Sequence, residues 1–83
     1  MATVAEKFLV IHKGVTFEFE RAEEGGYVVS VPAAPGCWSQ GDTFEEALEM
    51  IQDALQGWLA VARKRGLLIS DQLQGLVPGN PEK

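Results

Sequence analysis

The sequence is poor in the residues that build metal sites and covalent cross-links. Among its 83 residues it has one cysteine, Cys37, and one histidine, His12. A single cysteine excludes an intramolecular disulfide framework and is typical of a protein in a reducing compartment. A zinc site of the usual ligand types is likewise poorly supported. We interpret Cys37 as a small, semi-buried hydrophobic residue and His12 as a strand-end residue near the surface.

Basic residues and long apolar runs are also scarce. Lys and Arg number 7 against 12 Asp and Glu, which gives a net charge of −5. Because nucleic-acid affinity comes largely from cations on phosphates, we expect no direct DNA binding; the acidity favours a basic protein partner. Mild acidity is also common in soluble proteins that have no such partner. No run can span a bilayer and residues 1–6 do not begin a signal peptide, so we expect a cytoplasmic protein with no membrane contact.

Three segments in the first part of the chain have the patterns of β-strands. Phe8–Ile11 is a short apolar run, and Val15–Glu20 alternates apolar and polar residues, as a strand with one buried face does. Lys13-Gly14 between them fits a two-residue hairpin turn. A third strand begins at Tyr27 and ends near Val31, before a loop that contains Pro35-Gly36. Consecutive strands joined by short turns predict an antiparallel meander.

The following segment predicts one long helix, from about Phe44 to about Arg65. Apolar residues recur at the three- and four-residue steps of one helical face. These residues are Phe44, Ala47, Leu48, Ile51, Leu55, Trp58, Leu59 and Ala62. Thr43 and Glu46 form a capping box, in which we expect the Glu46 carboxylate to reach the Thr43 amide. Gly57 lies inside the helix at a cost of about 1 kcal/mol, which predicts close packing or bending there.

Together these elements predict an α+β fold in which a small antiparallel meander packs on one long helix. We expect a single domain over residues 1–77 and a disordered tail over 78–83, which contains two prolines and a glycine. Leu67–Ile69 has the composition of one more short edge strand. A chain of this length buries only about 60% of its unfolded surface, so its core is small.

The carboxylates invite a catalytic or metal-binding hypothesis, which the local pattern does not favour. Glu45, Glu46 and the neighbouring Asp42 are explained by helix capping and by the helix dipole. Glu18 and Glu20 alternate with phenylalanines and therefore mark a solvated strand face. Metal-assisted phosphoryl chemistry needs several carboxylates that converge on one point. We therefore expect no catalytic residue, no metal, no cofactor and no enzymatic activity.

One stretch resembles a known family. Its pattern consists of Gly26-Tyr27, Val31-Pro32, Pro35-Gly36-Cys37, Ser39 to Thr43, and Glu45 to Leu48. In this order and spacing the pieces are similar to the HicB-like antitoxin domain, and they cover roughly half of the chain. Ala33-Ala34 departs from the family, which usually has an acidic residue and a leucine there. The sequence carries no DNA-binding module after this region, so it resembles a single-domain member.

The resemblance implies a partial ribonuclease-H-like fold and a specific kind of function. An antitoxin of this type binds a small basic RNA-cleaving toxin and neutralises it by covering its catalytic face. The alternative is a stand-alone homo-oligomer, structural or regulatory, with no toxin partner. A short basic reading frame next to the gene would favour the first.

Two groups of residues are candidates for partner binding. Val28, Trp38 and a free strand edge would anchor the partner, while Glu45, Glu49 and Asp53 on the helix would steer it. An apolar patch on the uncovered sheet face, with Leu9, Ile11 and Val28, usually marks an interface, although scattered surface hydrophobes are also common. Together with the small core, this patch leads us to expect a homo-oligomer, a dimer or a dimer of dimers.

Overall fold

The computed structural model of the protein describes residues 6–74. Four antiparallel strands form one sheet in the order β1-β2-β3-β4, and a long helix, α1, covers one face of it. The elements are β1 Lys7–His12, β2 Val15–Arg21, β3 Tyr27–Ser30, β4 Trp38–Gly41, α1 Phe44–Arg65 and the one-turn helix α2 Asp71–Gln74. The α+β prediction is confirmed. The ribonuclease-H-like assignment stays a prediction, and the predicted tail 78–83 lies outside the described residues.

The first hairpin forms as its sequence predicts. Lys13 and Gly14 have φ angles of 54° and 80°, the two positive values that a tight hairpin turn of type I′ requires. The turn pairs His12 with Val15 and fixes the register of β1 against β2. Phe17 and Phe19 on β2 are consequently buried beneath α1, as the alternation predicts.

The fourth strand was not predicted. Trp38–Gly41 has no local strand pattern, because Ser, Gln and Gly have low strand propensity. In the structure, Gly36 at φ 87° reverses the chain and the Val31 amide donates to the Cys37 carbonyl at 3.1 Å. The returning segment then pairs with β3, and this pairing satisfies backbone groups that β3 would otherwise leave open. Tertiary pairing therefore outweighs local propensity here.

The strand considered for Leu67–Ile69 does not form. Gly66, at φ 71°, ends α1 in a Schellman motif: its amide donates to Arg63, and the Leu67 amide donates to Ala62 at 2.8 Å. The chain then runs without regular structure into α2, where Leu73 is fully buried against the core. This burial holds the segment in place without a strand.

The long helix has the predicted bounds and the predicted buried stripe. The Glu46 amide donates to the Thr43 hydroxyl at 3.0 Å, as the capping box requires. The Glu46 carboxylate, however, accepts from the Asp42 amide at 2.7 Å, so the expected bond to the Thr43 amide is wrong by one residue. The glutamate side chain is long enough to reach the amide before the cap.

The core lies between α1 and the sheet, and its aromatic side chains are in mutual contact. The fully or nearly fully buried residues are Val15, Phe17, Phe19, Val29, Val31, Ala34, Cys37, Ala47, Ile51, Leu55, Leu59, Ala62 and Leu73. Phe19 and Phe44 have ring centroids 4.6 Å apart, which ties β2 to the first turn of α1. Trp58 is only half-buried, and its indole nitrogen donates to the Pro35 carbonyl at 3.0 Å.

Gly41 and Gly57 differ in the space around them. A Cβ on Gly41 would lie 2.5 Å from the Ala47 amide nitrogen, so the first turn of α1 rests directly on β4. A Cβ on Gly57 would meet nothing within 4 Å, and the close packing predicted there is absent from the described part of the chain.

Neither helix in the described range is long and apolar enough to cross a membrane.

We predict that Thr43→Ala lowers the free energy of unfolding by about 1 kcal/mol, because the Glu46 amide loses its acceptor. Urea denaturation of the wild type and the variant measures the difference. Thr43→Ser is the matched control, since it retains the hydroxyl and should recover most of the loss. Equal midpoints for the alanine and serine variants would contradict the cap.

We further predict that Gly41→Ala destabilises the fold by about 1–3 kcal/mol, because the new methyl group meets helix backbone that cannot move cheaply. The matched variant Gly57→Ala should stabilise the fold by about 1 kcal/mol, because it adds helix propensity without a clash. Both are measured by urea denaturation at a concentration where the protein is monomeric. Equal effects of the two substitutions would refute the close contact at Gly41.

Candidate partner-binding surface

The sheet has one face that α1 does not cover, which we call the outer face. Residues on it are fixed by the strand register, in which Leu9 lies opposite Glu18, Glu18 opposite Ser30, and Ser30 opposite Trp38. The complete outer face consists of Lys7, Leu9, Ile11, Thr16, Glu18, Glu20, Val28, Ser30, Trp38 and Gln40.

Large apolar side chains lie along both margins of the outer face. On β1, Leu9 and Ile11 are 65% and 75% exposed, and on β4, Trp38 is 59% exposed. Val28, on β3 next to β4, is half-buried. Within residues 6–74, β1 and β4 each pair with one neighbour only, so their outward edges present unpaired backbone groups. Exposed apolar side chains next to an open strand edge are typical of a protein-binding surface.

The middle of the outer face is acidic. Glu20 lies opposite Val28, and Glu18 lies between Leu9 and Ser30 and forms a 3.7 Å ion pair with Lys7. The alternation in β2 identified these two carboxylates as members of one face but suggested only that the face is solvated. Their position between two apolar margins depends on the order of the strands in the sheet. That order cannot be predicted from the local sequence pattern.

The structure separates the two groups of predicted partner-binding residues. Val28 and Trp38 lie on the outer face, whereas Glu45, Glu49 and Asp53 are exposed on α1, which packs on the opposite face of the sheet. The helix buries one stripe and turns these three carboxylates away from the sheet. The two groups therefore do not form one continuous surface.

The remaining candidates have structural positions. Thr43 and Glu46 form the helix cap, with exposed side chains. His12 is half-buried at the end of β1, with its ring centroid 6.5 Å from that of Phe17. Cys37 is buried, and the loss of solvation raises the pKa of its thiol, which keeps it in the unreactive protonated form.

Between residues 6 and 74, no group of three or more His, Cys, Asp or Glu side chains is placed to hold a metal ion. A shallow cleft beside the first turn of α1 is lined by Glu24, Tyr27, Asp42 and Glu46, among others.

The chain is similar to several known proteins. Residues 15–74 match the family described as HicB-like antitoxin of bacterial toxin-antitoxin systems. The chain is 47% identical over 51 residues to antitoxin HicB 1 of Photorhabdus laumondii, which covers 61% of this chain and 33% of that protein. A UPF0150 protein of Thermoplasma acidophilum is 48% identical over 42 residues, or 51% of this chain and 61% of the relative.

Another relative matches this chain over most of its own length. A UPF0150 protein of Synechocystis sp. is 35% identical over 69 residues, which cover 83% of this chain and 82% of the relative. The part of the Photorhabdus antitoxin that matches this chain is a third of that protein, whereas the part of the Synechocystis protein that matches is most of it. The family match and the strand-to-helix pattern that underlies it show that this chain belongs to the HicB-like antitoxin family.

Proposed function

We propose that this protein is a cytoplasmic antitoxin that binds and sterically neutralises a small basic RNA-cleaving toxin. The observation that carries the proposal is the outer face of a HicB-like domain, which combines exposed apolar margins with an acidic centre. A basic partner with an apolar rim complements both features. The net charge of −5 adds a long-range attraction for such a partner.

Trp38 is the anchor of the proposed interface. Its side chain is large, 59% exposed and located on an edge strand, where a docked partner would desolvate it together with the open backbone of β4. Buried tryptophans commonly dominate the energy of protein interfaces. Val28, next to Trp38 on the outer face, extends the apolar contact.

Glu18 and Glu20 provide the local electrostatic contact, because they lie on the same face as the anchor. Glu45, Glu49 and Asp53, on the far side of the molecule, act only through the long-range field, which physiological salt screens beyond about 8 Å. Inhibition is then steric: the catalytic surface of the toxin is covered, and no residue of this chain takes part in chemistry.

A second candidate is a stand-alone homo-oligomer, structural or regulatory, without a toxin partner. The observation in its favour is the Synechocystis relative, which this chain matches over 82% of that protein's length and whose name states no partner. The two candidates differ in what the outer face contacts, and one experiment separates them.

We predict that the tagged protein, purified from its native host, carries a small basic protein in stoichiometric amount, and that co-expression relieves the toxicity of that protein. Mass spectrometry and a growth assay measure the two effects. The antitoxin proposal would be contradicted if only self-associated protein were purified and co-expression relieved the toxicity of no neighbouring small basic protein. The stand-alone oligomer would then be the better account.

Variants locate the interface. Trp38→Ala should weaken toxin binding at least about tenfold, a loss of about 1.4 kcal/mol. Leu68→Ala is the matched control, because Leu68 is 99% exposed and lies off the outer face.

Glu20→Gln should slow association by about threefold and Glu49→Gln should slow it less. A larger effect of Glu49→Gln would move the interface to α1.

A further inference from the structure

β2 is longer than β3, its neighbour in the sheet. Glu18 of β2 lies opposite Ser30, the last residue of β3. Two residues further along this register, Thr16 would lie opposite Pro32. Proline has no amide hydrogen to donate to a ladder and is confined to the ends and edges of strands, so β3 stops before it. The edge of β2 at Thr16 is therefore left without a strand partner on the side of β3.

The amide of Thr16 points to this open side. Further along the same segment, the Ala22 amide donates to the Gly26 carbonyl, on the side of β3, at 3.1 Å. Backbone groups of alternate residues in an antiparallel strand point the same way, which gives the Thr16 amide the same direction. Because β2 is an interior strand of the sheet, this amide needs an acceptor from another part of the chain.

The one-turn helix α2 supplies the acceptor. The Thr16 amide donates to the side-chain oxygen Oε1 of Gln72 at 2.9 Å, across 56 positions of the chain. The next residue, Leu73, is fully buried in the core between α1 and the sheet. Gln74 donates from its Nε2 to the Ile69 carbonyl at 2.9 Å, which folds the segment back on itself. These contacts make residues 69–74 a structural unit, which we call the α2 clamp.

The α2 clamp is attached less firmly than the rest of the fold. Gln72 is exposed, so water reaches its bond to Thr16. Leu73 is the only fully buried residue of the clamp, whereas α1 buries five residues. Segments with few buried apolar side chains and solvent-exposed hydrogen bonds open at a lower free energy than the core does. The clamp can therefore open while α1 and the sheet stay folded.

We propose that the α2 clamp is a releasable contact that controls the hairpin end of the sheet. When it is closed, Gln72 occupies the open edge of β2 and Leu73 completes the core. When it opens, the Thr16 amide is exposed to water, and the end of the outer face that carries Ile11 and Thr16 loses its support. The clamp thereby links residues 69–74 to the outer face. This proposal does not depend on what binds that face.

Amide hydrogen exchange of the full chain, followed by NMR, tests the proposal. Gln72→Met removes the acceptor at similar side-chain length and should speed exchange of the Thr16 amide at least about fivefold. Gln72→Glu keeps an acceptor oxygen and should leave that rate within about twofold of the wild type. Gln40→Met is the matched control, because Gln40 is an exposed glutamine on β4. The amide of Val29, in the core, should be unchanged in all three variants.

Two outcomes of this experiment would overturn the proposal. One is an equal Thr16 exchange rate in the wild type and in Gln72→Met, which would show that the side-chain bond does not protect the amide. The other is an equal acceleration at Thr16 and Val29, which would show that the variant destabilises the whole fold and that the clamp does not open separately.

The dependence of exchange on urea tests whether the clamp opens as a unit. The Leu73 amide donates to the Ser70 carbonyl at 3.0 Å, so it reports on α2 itself. Below the unfolding transition, the opening free energies of Thr16 and Leu73 should agree and depend weakly on urea, whereas that of Val29 should fall steeply. Leu73→Ala should also speed Thr16 exchange, although Gln72 is retained. A Thr16 amide that follows Val29 at every urea concentration would contradict the clamp.

Discussion

The close approach of the first turn of α1 to Gly41 determines how this molecule is arranged. The last residue of β4 has no side chain, so the helix backbone at Ala47, six residues further along the chain, can rest on the strand. The Thr43 cap fixes the direction in which the helix leaves. From there α1 runs across one face of the sheet, buries the aromatic cluster around Phe19 and Phe44, and leaves the other face uncovered.

This arrangement gives a small domain two surfaces with different properties. The outer face presents Trp38 and the carboxylates of β2 together, which suits a basic partner, while α1 has acidic residues in its first turn and basic residues in its last turn. An antitoxin built in this way would neutralise by occupying space, without any catalytic group of its own.

The sequence predicts those parts of the structure that depend on local order. The alternation of β2, the Lys13-Gly14 turn, the Thr43 cap and the end of α1 all follow from residues close in the chain. β4 could not be predicted, because it forms by pairing with β3 and has little strand propensity of its own. For the candidate site, Trp38 and Val28 stay predicted partner-binding residues. Only the strand order shows that Glu18 and Glu20 lie on the same face as Trp38 and that the helix carboxylates do not.

The claim that the outer face binds the partner is tested most directly by hydroxyl-radical footprinting. Trp38 and Met50 are both reactive and both substantially exposed, at 59% and 47%, and they lie on opposite sides of the sheet. The chain is oxidised with and without the proposed toxin, a small basic protein that co-purifies with the chain from its native host. The account predicts that the added protein slows oxidation of Trp38 and leaves that of Met50 unchanged. Slower oxidation of Met50 with no change at Trp38 would contradict it.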